Sequence, residues 1–74
     1  MTRVPRNVKP QQAIKFLEKF GFLKGKGRGS HVRLTHPDGR WTQVAVHPRP
    51  IPEGTLRKII RQTEVTDGQL KELK

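Results

Sequence analysis

The sequence predicts an α+β domain of α-β-β-β-α order: a three-stranded antiparallel sheet, helices packed on one face, and a short C-terminal helix. Three observations predict it. Apolar residues recur at helical spacing in two separate segments, 13–20 and 56–60. Between them, apolar and polar residues alternate through 30–36 and again through 41–47, as half-buried strands do. Pro37-Asp38-Gly39 joins the two alternating stretches with hairpin chemistry, Pro for the first turn position, Asp to bond its own backbone, Gly for a positive φ. With 74 residues there is room for one domain (1–74) and one small core.

Residues 1–9 are polar and basic and read as a flexible lead-in. Pro10 suits the first turn of a helix, where a missing N–H costs nothing. Ala13, Ile14, Leu17 and Phe20 form its apolar stripe, widened by Phe16, and Gly21 is placed to end it in a left-handed conformation with Phe22 folding back. A short strand is expected over 22–26. Gly25, Gly27 and Gly29, interleaved with Lys26 and Arg28, then read as a flexible basic turn. They do not form a P-loop, because no Gly-Lys-Ser/Thr follows at the right spacing and no helix comes after.

The Pro-Asp-Gly turn sets a register for the second and third strands. His36 falls opposite Arg40, Leu34 opposite Thr42 and Val32 opposite Val44. Val32, Leu34, Val44 and Val46 then share the buried face. The other face carries His31, Arg33, Thr35, Trp41, Gln43, Ala45 and His47. Pro48, Pro50 and Pro52 make a stiff connector to a helix that begins near 53–55, with Leu56, Ile59 and Ile60 inward and Arg57, Lys58 and Arg61 outward. Thr66 and Gln69 have capping-box spacing ahead of Leu70 and Leu73. Both main helices are expected over the valine-leucine face, leaving the histidine face to solvent.

Sixteen Lys and Arg against six Asp and Glu give a formal charge of +10, which attracts polyanions, nucleic acid first among them. No apolar run approaches the roughly 18 to 20 residues a membrane span needs. The first residues lack the apolar core of a signal peptide, so a cytoplasmic protein is expected. The absence of cysteine removes disulfides, thiolate metal sites and thiol catalysis. The three histidines lack nearby carboxylates or short ligand spacing, so neither a metal nor a small-molecule cofactor is expected.

From about Gln12 to Leu73 the chain resembles the HicA toxins, the YcfA-like family of small bacterial mRNA interferases. The resemblance rests on Phe20-Gly21-Phe22, Arg28-Gly29-Ser30-His31, His36-Pro37-Asp38-Gly39-Arg40, Val44 with His47, and Gly54-Thr55-Leu56-Arg57, in that order. It implies a double-stranded-RNA-binding-like fold and cleavage of RNA that depends on the histidine of Gly-Ser-His, here His31. It also implies a HicB-like antitoxin that covers the active face. One departure is Ala45, where the family often carries Pro, so the resemblance reaches His31 more directly than His47.

RNA can be cut without a metal when a base deprotonates its 2′-hydroxyl, a cation steadies the phosphorane, and an acid protonates the leaving 5′-oxygen. Histidine suits either proton step. His31 is expected as the general base, Arg28 and Arg33 as holders of the scissile phosphate, and His47 as a candidate acid. Lys26, Arg28, Gly29, Ser30, Arg33, Arg40 and Trp41 are the expected contacts to single-stranded RNA or mRNA. Trp41 could stack a base, anchor a partner protein or pack on its neighbours. His36, beside the turn, is expected to be structural. A non-catalytic RNA-binding module, and a docking piece for an acidic protein, are the other readings open to this charge and pattern.

Overall fold

Helix α1, Pro10–Lys19, forms where the first apolar stripe lies, and buries Ala13, Ile14, Phe16 and Leu17. It ends as expected. Gly21 takes a φ of 95°, its N–H donates to the Glu18 carbonyl and that of Phe22 to the Leu17 carbonyl, the paired bonds of a Schellman closure. The computed structural model describes residues 4–73. After α1 come β1 Leu23–Lys26, β2 His31–Thr35, β3 Trp41–Ala45, α2 Glu53–Thr63 and the short α3 Asp67–Leu70. The strands form an antiparallel sheet in the order β1-β2-β3.

The register across the hairpin is the expected one, with Val32 opposite Val44, Leu34 opposite Thr42 and His31 opposite Ala45. The His36 N–H donates to the Arg40 carbonyl at 2.8 Å and closes the Pro-Asp-Gly turn. Both strands stop short of their expected ends. On β3 the Val46 N–H still reaches the Ser30 carbonyl at 2.9 Å, but β2 has already turned away there, and Pro48 has no N–H to continue the ladder.

Leu34 and Val44 are fully buried at the centre of the core. Val32 and Val46, expected to be buried, are half-covered. The reason is the placement of α2. It touches β3 and neither of the other strands, whereas α1 reaches all three. Helix α2 therefore runs along the free edge of β3 instead of lying across the sheet. A buried hydroxyl fixes it there: Thr42 Oγ1 donates to Gln62 Oε1 at 2.7 Å. Among the described residues no buried side-chain nitrogen or oxygen lacks a partner.

Of the lead-in expected to be flexible, residues 1–3 lie outside the described residues. Val8 is buried, and its carbonyl accepts the Ile51 N–H at 2.7 Å. That part of the segment is tied to the proline-rich connector because Val8 joins the core with Ile51, and Val4 packs against that core partly buried. At the other end of the chain, Thr66 and Gln69 form the reciprocal capping box, with bonds of 3.1 and 2.8 Å. Among the described residues no helix is long and apolar enough to cross a membrane.

Asp38 holds the hairpin turn from inside. Its carboxylate accepts the Arg40 backbone N–H at 3.0 Å and the Arg40 Nε–H at 2.8 Å. The backbone bond from Arg40, joined by the Arg40 guanidinium and then His36, holds the carboxyl below the ordinary carboxylate range against the opposing effect of desolvation. A depressed carboxyl pKa stabilises the fold above the unfolded value, near 4, and that stabilisation is lost as pH falls through the folded value. The fall in unfolding free energy between about pH 6 and pH 3 should accordingly be shallower in Asp38→Asn than in the unaltered protein, measured by urea denaturation across that range.

Candidate active site

The turn between β1 and β2 determines how His31 is held. Gly27 donates its N–H to the His31 carbonyl at 3.2 Å, and His31 donates its own N–H to the Arg28 carbonyl at 2.9 Å. Gly27 and Arg28 thus face the single residue His31, the arrangement of a β-bulge. Between Arg28 and His31 the chain reverses through Gly29, whose φ is 57°. Gly27 is there for space: a Cβ at this position would lie 2.7 Å from the His31 carbonyl oxygen and 3.2 Å from the His31 Cβ.

The Arg28 carbonyl also meets the His31 ring, at 3.1 Å from Nδ1. A carbonyl oxygen only accepts, so this contact favours the neutral tautomer with its proton on Nδ1. In that tautomer Nε2 keeps its lone pair and carries no proton. That is the form a general base requires, and it is selected by a backbone atom three residues upstream.

The exposed ring lies at a cleft of about 300 Å³ between the sheet and α2. Trp41, Gln43 and Ala45 of β3 supply one side, and Thr55, Lys58, Ile59 and Gln62 of α2 the other. The histidine face is therefore open above β2 but walled at its β3 edge, because α2 runs alongside. Lys58 of α2 lines the same cleft as the imidazole. Among the described residues no group of three or more His, Cys, Asp or Glu side chains comes together as metal ligands would.

The expected site residues divide in two. Arg28, Gly29 and Ser30 are exposed in the turn that carries His31, and Arg33 projects from the same face of β2 as His31. The Arg33 guanidinium stacks on the Trp41 ring at 4.5 Å from its centroid, so Trp41 packs against its neighbour while 45% of it stays exposed. Of the expected site residues only His31 and Trp41 line the cleft itself, and three of the others are placed away from it. Lys26 pairs with Val32 and projects to the helix-bearing side. Arg40 is committed to structure: it bonds Asp38 and the Thr63 carbonyl, and its guanidinium covers the Phe22 ring. His47 is exposed beyond the end of β3 and does not line the cleft. His36 is structural, as expected, its ring edge-on to Phe22 with centroids 5.1 Å apart.

Residues 10–65 match the model of a protein family described as the HicA toxin of bacterial toxin–antitoxin systems. The chain belongs to the HicA toxin family. The match runs from the first residue of α1 to just past α2 and so contains the whole cleft of this HicA-family toxin. No curated protein matches the chain. Sequence reasoning missed the α2 wall of the HicA cleft, Thr55, Lys58, Ile59 and Gln62, none of which stood out as more than a position on the second helix. Their membership follows from where α2 lies, and no local signal announces that.

Gly27→Ala should destabilise the fold by about 1–3 kcal/mol, since backbone must move to admit the methyl group. It should also displace the His31 ring signals in NMR spectra. Gly25→Ala is the control, because a Cβ there comes no nearer than 4.0 Å to the Arg33 carbonyl; thermal melts of the two variants should differ accordingly.

Proposed function

We propose that this toxin is an endoribonuclease that cuts mRNA by transesterification, with His31 as its general base. The observation that carries the reading is the imidazole itself. Its Nδ1–H is bound to the Arg28 carbonyl and its exposed ring faces a cleft that also holds Lys58. His31 Nε2 takes the proton of the 2′-hydroxyl, and the 2′-oxygen attacks the adjacent phosphorus. The P–O5′ bond breaks, leaving a 2′,3′-cyclic phosphate on one fragment and a 5′-hydroxyl on the other, whose oxygen takes its proton from water. Lys58 from α2 and the guanidinium groups of Arg28 and Arg33 offset the charge that builds on the phosphorane. His47 has no assigned step, since it lies outside the cleft.

The formal charge of +10 supports a polyanionic substrate. As a member of a toxin–antitoxin family, the protein is proposed to act in the cytoplasm and to be neutralised there by a HicB-like antitoxin that covers the cleft. Expression without that partner should arrest growth.

The test is incubation of purified protein with single-stranded RNA in EDTA, comparing the unaltered chain with His31→Ala and His31→Gln. Cleavage should yield cyclic-phosphate ends and fall by about 10²- to 10⁴-fold in both variants, with circular dichroism unchanged. RNA that stays intact with the unaltered protein would leave a binding module in place of a nuclease. Equal cleavage by all three proteins would remove His31 from its role.

A further inference from the structure

The cleft extends past His31 along β3 and α2, and the proton chemistry uses only its histidine end. What remains is chemically mixed in a specific way. Trp41 offers apolar surface, Ile59 reaches the lining from the core where it is buried, and Gln43 and Gln62 place a carboxamide on each wall. Gln62 is positioned: its Oε1 accepts the hydroxyl of Thr42, which is 0% exposed, and its amide N–H groups remain free to donate. The Arg33 guanidinium covers one face of Trp41 and holds the ring in place.

We infer that this part of the cleft is a nucleobase slot. It takes the base next to the scissile phosphate and sets which sequences are cut, an inference that rests on the nuclease reading. Aromatic and aliphatic surface accepts the face of a base. Carboxamides, carrying a donor and an acceptor side by side, match the paired groups along a base edge. Lys58, which lines the same cleft as His31, meets the phosphate. A volume of about 300 Å³ admits one nucleotide and is at the small end of ligand sites, too small for a folded peptide segment. The protein's charge favours a polyanion at the mouth. The amides of Gln43 and Gln62 are then the specificity-determining groups, and His31 and Lys58 act on every sequence alike.

Nucleoside 3′-monophosphates test this directly, because each carries one base and one phosphate and has no bond to be cut. Titrated into the full chain with NMR detection, the A, C, G and U forms should shift the Trp41 indole and the Gln43 and Gln62 side-chain amide signals. Their dissociation constants should differ, and Gln43→Ala, a change at an exposed position, should weaken the preferred nucleotide about tenfold and level the four. Ribose 5-phosphate and inorganic phosphate should leave the amide signals in place. The inference is overturned if those base-free probes move the same signals equally, if no nucleotide moves them, or if Gln43→Ala leaves the preference unaltered. It is also overturned if an acidic partner protein shifts them and no nucleotide does, which would make the cleft a protein-docking surface. The two readings fail separately: RNA cut with these signals silent ends the slot and keeps the nuclease, whereas seated nucleotides with intact RNA keep the slot and end the nuclease.

Discussion

The burial of Leu34 and Val44 is the constraint on which the site depends. Both are closed off from water at the centre of the core, and in a pleated strand their neighbours must then face the other way. Leu34 cannot be inside unless Arg33 and Thr35 are outside, and Val44 inside forces Gln43 and Ala45 outward. His31 follows from the same parity. A slip of one residue between β2 and β3 would expose two core side chains and bury an imidazole and a guanidinium, an exchange costing several kcal/mol. The active face is the complement of the core.

Parity points the histidine outward without aiming its ring. The aim comes from the bulged turn of Gly27, Arg28 and Gly29, which returns one carbonyl oxygen to both the backbone and the ring of His31. The wall opposite comes from α2, and α2 stands where it does because Thr42, Arg40 and the proline-rich connector each tie it to the β3 edge. Arg40 does this by bonding the Thr63 carbonyl near the end of α2 and the Asp38 carboxylate in the hairpin turn. One face of the hairpin thus secures the helix while the other, with that helix, forms the cleft.

Much of this was legible from local pattern. The Pro-Asp-Gly turn gave the register residue by residue. Gly21 marked the end of α1, and Thr66 with Gln69 marked the start of α3. The helix order and the open histidine face followed from periodicity. What escaped was long-range. Lys26 and Arg40 looked like phosphate contacts because charge is visible in a sequence, whereas the side of the sheet each occupies follows from β1 pairing and from a carbonyl 23 residues away. The end of α2 carried no glycine to announce it; Glu64 itself takes the left-handed conformation, with φ of 54°. Lys58 and Gln62 could not be assigned to the cleft, because an amphipathic helix shows which stripe it buries but not which strand it lies against. Val8 escaped because its burial depends on pairing with the distant Ile51, and two valines among basic residues and Pro5 do not announce that contact.

His31 is the proposed general base, and nitrogen-detected NMR of the imidazoles measures the state of its ring most directly. At a pH where the ring is neutral, the protonated nitrogen should be Nδ1, coupled to a slowly exchanging hydrogen, with Nε2 bare. In Gly27→Ala that preference should weaken as the turn shifts. A ring protonated at Nε2 in the unaltered protein, or one exchanging freely between the two forms, would mean that the Arg28 carbonyl does not hold it, and that the base proposed for this toxin is not prepared by its fold.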